Sequence, residues 1–252
     1  MHDEPAPITE HLAELRRRLF YVLLALVLCS IAAFAYAEQI FFFLMRPAVE
    51  ALGEHGARLQ AIAPTETFVT FIKCALLAGF CISLPVTFWQ VWAFVAPGLY
   101  ANEKRMLLPF VFVSTALFLG GAVFGYTQVF PVMFSFLSGF GSEHVEQAWT
   151  MREVFSTTSQ MFLAFGVAFE LPVVVFFLTL SGLMTSAQLW RATPYAVVII
   201  FVVAAILTPT PDWMTQLLLA VPMVLLYLGG VGVAYLFEPG RRERRLQSSQ
   251  VE

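Results

Sequence analysis

Charged residues are scarce in this chain. Only 12% of its 252 residues are Asp, Glu, Lys or Arg, whereas 59% are hydrophobic, and the mean hydropathy is +0.78. An ordinary soluble domain has about 25% charged residues. The composition therefore argues against a soluble globular fold and predicts an all-α, polytopic integral membrane protein.

The usual motifs of enzymes and metal sites are also missing. The sequence has no Gly-rich phosphate loop, no H-E-x-x-H, no G-x-S-x-G and no cysteine pair at metal-binding spacing. Its three cysteines, at positions 29, 74 and 81, suit small buried hydrophobic residues better than disulfides, and its four histidines are scattered through hydrophilic segments. We therefore expect a protein that is not an enzyme, with no catalytic residue, cofactor, metal or nucleic-acid partner.

Six apolar segments are present, which predicts six transmembrane helices. They cover approximately residues 19–37, 68–95, 106–130, 154–180, 194–207 and 213–237. The fifth offers only about 14 residues, or about 21 Å of helix, against a hydrocarbon core of about 30 Å. The prolines at positions 209 and 211 then predict a tight hairpin. We therefore expect short fifth and sixth spans.

The distribution of Lys and Arg predicts the orientation of these spans. Ten of these residues fall in the N-terminal segment, the second and fourth connections and the C-terminal tail, namely positions 16, 17, 18, 104, 105, 191, 241, 242, 244 and 245. Only three, at positions 46, 58 and 152, fall on the other side. The positive-inside rule therefore places both termini in the cytoplasm, which agrees with an even number of spans.

The same pattern divides the chain into three parts. Residues 1–18 are predicted to form a cytoplasmic amphipathic segment, residues 19–237 a six-helix transmembrane domain with periplasmic cap loops, and residues 238–252 a basic, disordered cytoplasmic tail. In the first cap loop, an amphipathic run from residue 40 to Pro47 suits a helix that lies along the membrane interface or over other helices. Farther along, Pro64 to Phe68 predicts a helix start with Thr65 as N-cap and Glu66 in the first turn.

Glu170 is the only ionisable residue between positions 161 and 180. About twenty residues of helix span the bilayer, so Glu170 is expected near the midplane, where a carboxylate costs roughly 2.5 to 3.5 kcal/mol. Such a group faces the protein interior or a wet cavity. Two interpretations stay open here: a protonated Glu170 bonded to a neighbouring helix, or a functional polar site.

Two more acids lie on the positively charged side of the membrane. Glu14 precedes the first span within a short amphipathic helix, and Glu103 lies in a loop stiffened by Pro97 and framed by aromatic residues. Each carboxylate could bind a cationic ligand. Each could equally pair with a basic neighbour, such as Arg17 or Arg18 for Glu14, for a few tenths of a kcal/mol.

Four short segments, in this order on these spans, resemble the TatC family, the multispanning receptor subunit of the twin-arginine protein translocase. They are residues 11–16 before the first span, 64–68 before the second, 94–105 in the second connection, and 208–216 at the last hairpin. The resemblance runs from about residue 8 to 237. It implies a cupped wall of six helices in a bacterial or archaeal cytoplasmic membrane, working on the proton gradient.

The resemblance also implies partners and roles for particular residues. The expected partners are twin-arginine signal peptides of folded cargo, single-span subunits of the TatA and TatB type, further copies of the chain, and membrane lipid. Glu14, Arg16, Phe94 and Glu103 match signal-peptide-binding positions, Glu170 an intramembrane acidic position, and Thr208 and Gln216 a docking patch for partner helices. Pro47, Pro64, Glu66, Phe68, Pro97 and Asp212 match structural positions of the loops.

The alternative is a proton- or ion-coupled transporter of small solutes that uses Glu170 as its coupling acid. Such a transporter predicts internal repeats with interrupted helices at matching positions. The first three and last three spans differ in length, proline placement and loop charge, so the sequence does not support repeats. An acidic patch that accepts the planar donor forks of two arginines is chemically suited to signal-peptide recognition.

Overall fold

The computed structural model describes residues 8–53, 59–95, 107–139, 148–208 and 212–237. Nine α-helices and one π-helical turn account for nearly all of these residues. In chain order they are α1 (Ile8–Phe34), α2 (Ala37–Gly53), α3 (Pro64–Val95), α4 (Leu107–Phe124), the π-helical turn Gly125–Val129, α5 (Phe130–Ser138), α6 (Met151–Ala168), α7 (Leu171–Leu180), α8 (Ser186–Leu207) and α9 (Trp213–Phe237).

Six of the helical segments are long and apolar enough to cross a membrane, which confirms the predicted six spans. They are Leu12–Phe34, Pro64–Val95, Leu107–Ser138, Met151–Leu180, Ser186–Leu207 and Trp213–Phe237. The third span runs through α4, the π-helical turn and α5, and the fourth through α6 and α7. The third span therefore extends eight residues beyond the apolar run that was predicted to end at residue 130.

The fifth span differs from the prediction at its start. It has 22 residues because α8 begins at Ser186, eight positions before Pro194. Thr185 caps this helix: its hydroxyl accepts a hydrogen bond from the Gln188 backbone, and the Gln188 side chain accepts one from the Thr185 backbone. This capping box starts the helix among polar residues, and Pro194 is tolerated inside it. At 22 and 25 residues, the fifth and sixth spans remain shorter than the 30 to 32 residues of spans two to four.

The helices form an open row. The first span packs on α3, α3 packs on α4, and α4 packs on α6, while α7 and α8 both pack on α9. Only 11% of the first span and 17% of the fifth are buried, compared with 39% of the second, fourth and sixth. The first and fifth spans therefore lie at the edges of the assembly, as the cupped arrangement requires.

The amphipathic run near Pro47 forms α2, which covers the outer ends of other helices. Its apolar face is buried against α3, α5 and α6 and includes Phe41, Met45 and Ala48, each at most 1% exposed. Pro47 is itself buried inside this helix. The Tyr126 hydroxyl donates a hydrogen bond to the Phe43 carbonyl at 2.6 Å and so ties α2 to the π-helical turn.

Glu66, rather than Thr65, caps the start of α3. The helix begins at Pro64, where the fixed φ of proline suits the first helical position. The Glu66 carboxylate therefore lies close enough to accept backbone hydrogen bonds from Ile62, at 2.8 Å, and from Ala63, at 3.4 Å. Its other oxygen accepts one from the Arg152 backbone at 2.8 Å, which joins the starts of α3 and α6.

Two glycines let α4 approach α6 closely. A Cβ added at Gly121 would lie 2.5 Å from the Phe165 carbonyl oxygen and 2.6 Å from the Phe169 ring, and one added at Gly125 would lie 2.7 Å from the Phe165 ring. The G-x-x-x-G spacing of these residues places both glycines on one helix face, so the motif serves helix packing.

We expect Gly121→Ala to lower the free energy of unfolding by about 1 to 3 kcal/mol, the usual cost of overpacking. The clash involves a backbone carbonyl, which cannot rotate away as a side chain can. Gly120→Ala is the matched control, because a Cβ at Gly120 meets no atom within 4 Å. Unfolding of the two purified variants in detergent measures the difference, and equal stability would contradict this packing.

Candidate functional site

Glu170 lies at a break in the fourth span. Helix α6 ends at Ala168 and α7 begins at Leu171, so Glu170 occupies the joint between them. Pro172 has no N–H to donate to the Ala168 carbonyl, which removes one helical hydrogen bond and explains the break. The Glu170 carbonyl instead accepts from Val173 and Val174, both at 3.0 Å. The break lets the helix present a carboxyl group inside the bilayer.

The Glu170 side chain belongs to a polar group contributed by three helices. The Ser114 side chain of α4 is the polar neighbour of the Glu170 carboxyl. The Trp92 indole of α3 donates to the Ser114 hydroxyl oxygen at 3.0 Å, and the Trp92 ring is held between Phe110 and Phe177, with ring centroids 4.8 and 5.3 Å away. Because that oxygen accepts from Trp92, its own proton is free to point toward Glu170.

One oxygen of Glu170 remains without a hydrogen-bond partner. Among the described residues, Oε1 is buried and accepts no hydrogen bond. Buried polar atoms without partners are rare, because each costs about 1 to 3 kcal/mol. Glu170 thus has one polar neighbour from another helix, Ser114, and a buried acceptor suited to a further donor.

Glu14 forms the local ion pair that was one of its two predicted interpretations. The Arg18 guanidinium donates from Nε and Nη2 to Oε1 of Glu14, with Nε at 3.0 Å. Through Nη1 it also reaches the Gln90 side chain of α3, at 3.4 Å. Arg18 is 18% exposed and Glu14 30%, so the pair is partly buried between α1 and α3.

Phe94 lies at the same end of the molecule as Glu14. Phe94 is one turn beyond Gln90 and half-buried in the last turn of α3, while Glu14 is one turn before Arg18 in α1. The contact between Arg18 and Gln90 therefore brings Glu14 and Phe94 to a common face. Arg16 is exposed on the same segment of α1. Glu103 and Pro97 lie outside the described residues.

The last hairpin carries a second polar group at the opposite end. The Gln216 side chain of α9 donates to the Phe201 carbonyl of α8 at 3.0 Å, and Gln160 of α6 donates to the Leu207 carbonyl at 3.1 Å. Thr208 ends α8 and is 9% exposed. The sequence prediction found Thr208 and Gln216 but missed Gln160, because only the fold brings α6 to this hairpin.

The predicted structural residues occupy several kinds of position. Asp212 accepts a hydrogen bond from the Thr215 backbone at 2.7 Å and so caps α9. Pro64 and Glu66 begin α3 as described above. Phe68 does not cap or begin a helix. It is 60% exposed on α3 and therefore faces away from the packed interior. Within the described part of the chain, no group of three or more His, Cys, Asp or Glu residues could hold a metal ion.

Six spans, a carboxyl group at a helix break within the fourth of them and a polar hairpin between the last two define a polytopic membrane protein. The family model described as Sec-independent protein translocase protein (TatC) matches residues 10–222. The chain belongs to the TatC family.

Individual relatives agree with this assignment. The Sec-independent protein translocase protein TatC of Koribacter versatilis is 39% identical over 245 residues, or 96% of this chain and 90% of that relative. Its counterpart in Magnetococcus marinus is 40% identical over 250 residues, which are 99% of this chain and 90% of that relative. A crystal structure of a twin-arginine translocase receptor TatC is similar with a TM-score of 0.77 and 36% identity, covering 90% of this chain and 98% of that one.

The family does not favour the solute-transporter alternative, and it makes the chain a multi-pass membrane component of a protein translocase. The positions of the helix interruptions also argue against a solute transporter. They occur at residues 125–129 in the third span and 169–170 in the fourth, whereas α1, α8 and α9 are continuous. These positions do not match between the two halves, as the inverted repeats of many transporters would require.

Proposed function

We propose that this chain is the receptor and core subunit of a twin-arginine translocase. It binds the paired arginines of cargo signal peptides at its cytoplasmic face and organises single-span partners of the TatA and TatB type for export driven by the proton gradient. Both termini lie in the cytoplasm. Residues 1–18 and 238–252 flank a transmembrane domain formed by residues 19–237, and several copies assemble in the complex.

The observation that carries this proposal is the common face of Glu14 and Phe94. A signal arginine offers a planar donor fork that a carboxylate accepts, and an aromatic side chain gives its aliphatic and guanidinium surface a place to pack. Residues 96–106, which include Glu103, follow the end of α3 in the sequence. In this proposal Glu103 and, once Arg18 is displaced, Glu14 accept one arginine each.

The outer hairpin suits the docking of partner helices. Thr208, Gln216 and Gln160 place polar groups where α8 ends, where α9 begins and where the middle of α6 meets the end of α8. Polar side chains hydrogen-bond across helices in the bilayer, typically for about 0.6 to 2 kcal/mol. Gln216 donates within the chain through its amide nitrogen, and the amide oxygen can still accept from a partner. The cytoplasmic and outer sites therefore serve different ligands.

This proposal predicts that Arg18 competes with the signal peptide for Glu14. A partly exposed ion pair contributes up to about 1 kcal/mol, which a binding arginine must displace. Arg18→Gln should therefore tighten binding of a twin-arginine signal peptide by up to about fivefold. Titration of a fluorescent signal peptide onto the purified protein measures this.

Arg17→Gln is the control for that experiment. It removes the same charge from the neighbouring position, where the side chain is exposed. General electrostatic attraction would change binding equally in the two variants. Equal changes, or weaker binding in Arg18→Gln alone, would show that the Glu14 and Arg18 pair only joins α1 to α3 and would remove Glu14 from the binding surface.

A further inference from the structure

A groove opens between the start of α8 and the end of α9, away from every site described above. Its volume is about 480 Å³. The residues that matter for its chemistry are Trp190, Arg191, Leu228, Val231, Gly232 and Tyr235. Thr208 is 17 residues beyond Arg191 in the sequence, or about 26 Å along a helix, so the groove and the outer hairpin lie at opposite ends of the same helix pair.

The groove combines an apolar body with a single positive charge. Leu228 and Val231 supply apolar walls, and Arg191 is the only charged residue in the lining. Among the described residues, Arg191 is exposed and makes no hydrogen bond or ion pair. A guanidinium beside an apolar groove that has no ionic partner in the described part of the chain attracts an anion, and its planar fork fits a phosphate in particular.

The flanking aromatic residues indicate the depth of the groove in the membrane. Trp190 is 64% exposed and Tyr235 is 51% exposed. Such side chains concentrate where hydrocarbon meets the headgroups, because each ring has an apolar body and a polar atom. The count of basic residues assigns this end of α8 and α9 to the cytoplasmic leaflet. Basic pockets between helices on that side are typical binding sites for anionic lipid headgroups.

The charge of the groove also separates it from the signal-peptide site. A twin-arginine peptide is cationic in its recognition segment and would be repelled by Arg191. The proposed signal surface lies on α1 and α3, and α8 packs instead on α9 and α6. The occupant must therefore be negatively charged at one end and apolar along its length.

We propose that this groove binds an anionic phospholipid of the cytoplasmic leaflet. Arg191 holds the phosphate, Trp190 and Tyr235 flank the headgroup, and one acyl chain lies along Leu228 and Val231. The site rests on the same orientation as the proposed function, but it requires no signal peptide. Gly232 keeps the groove open, because a Cβ there would meet no atom within 4 Å.

Two variants test the site directly. The purified protein is placed in phosphatidylcholine nanodiscs that contain a small fraction of a photoactivatable phosphatidylglycerol, and labelling of the α8 and α9 peptides is quantified. Arg191→Gln removes the phosphate ligand, and Gly232→Leu fills the groove. Each should reduce this labelling by about fivefold or more, since a charge-assisted contact or the binding volume is lost.

The chain offers close controls for both changes. A Cβ at Gly229 also meets no atom within 4 Å, yet Gly229 does not line the groove, so Gly229→Leu should leave labelling within twofold of the unmodified protein. Arg152→Gln removes an exposed arginine on the other side of the membrane and should have equally little effect. If Gly232→Leu does not fold, labelling of the Arg191→Gln variant still tests the site, because Arg191 is exposed and its replacement should not affect folding.

Three results would overturn the proposal. Labelling could persist in Arg191→Gln and Gly232→Leu, or a photoactivatable phosphatidylcholine could label the groove as strongly as phosphatidylglycerol. Alternatively, Gly232→Leu could displace a copurifying single-span subunit without changing lipid labelling, which would assign the groove to a partner helix. Signal-peptide binding measured on the same variants should be unchanged, so failure of this site and failure of the receptor function can be told apart.

Discussion

Replacing Glu103 by Ala is expected to weaken binding of a twin-arginine signal peptide by about ten- to a hundredfold. A charge-assisted hydrogen bond to a carboxylate is worth roughly 1.5 to 3 kcal/mol, and each 1.4 kcal/mol is a factor of ten in affinity. Glu103 lies outside the six spans in the sequence, so we expect its truncation to leave their packing intact. Binding or crosslinking of a labelled signal peptide to the solubilised protein measures the loss.

The identity of the contact is tested from the peptide side. Lysines in place of the two signal arginines keep the charge but lose the planar fork, so binding to the unmodified protein should also weaken. The two losses should be clearly less than additive when combined, because both remove the same interaction. Fully additive losses, or unchanged binding by Glu103→Ala, would mean that Glu103 pairs only with Lys104 or Arg105.

Glu38→Ala serves as the control for general electrostatics. Glu38 is an exposed carboxylate in the first turn of α2, on the opposite side of the membrane. Its removal changes the net charge by the same amount and should leave signal-peptide affinity within about twofold of the original. A comparable loss in Glu38→Ala would point to diffuse charge attraction rather than recognition in the loop.

The positions of the spans were predictable because hydrophobic length alone decides them. The start of α8 was not, since the capping box of Thr185 and Gln188 lies in a polar stretch that the apolar run excludes. The N-cap of α3, predicted at Thr65, was also mispredicted. The residue type of Thr65 suits an N-cap, but Pro64 fixes the first helical position and leaves Glu66 to cap the helix. In both places, local backbone geometry outweighed composition.

The candidate site was predictable in its acids but not in their partners. Glu170 stands out because it is the only ionisable residue between positions 161 and 180, whereas Ser114 and Trp92 are unremarkable within apolar runs and come near Glu170 only through tertiary packing. The pairing of Glu14 with Arg18 was foreseen as an alternative, because i and i+4 positions are neighbours on a helix. The hydrogen bond from Arg18 to Gln90 could not be predicted, because it depends on the packing of α1 against α3.

Glu170→Leu is expected to slow cargo export by about tenfold, whereas Glu170→Gln should retain most of the activity. Leucine removes the acceptor that the Ser114 hydroxyl faces and the acceptor offered to an inserted helix, and a buried polar group left unpaired costs about 1 to 3 kcal/mol. The amide of glutamine can still accept a hydrogen bond from Ser114 and from an inserted helix. Export of a twin-arginine cargo by cells that carry each variant gives the rates.

Thr179→Val is the matched control, because Thr179 is buried in the same span but its hydroxyl bonds only to the Val175 carbonyl of its own helix, at 3.2 Å. Its loss should change export little.

Trp92→Phe keeps an aromatic ring in the cluster but removes the donor that orients Ser114, so it should lower export by less than Glu170→Leu. Combining Trp92→Phe with Glu170→Leu should add almost nothing, since Trp92 acts through Glu170. Full export by Glu170→Leu, or additive losses in the double variant, would show that Glu170, Ser114 and Trp92 contribute only to helix packing. The Glu170 carboxyl would then have no role in translocation.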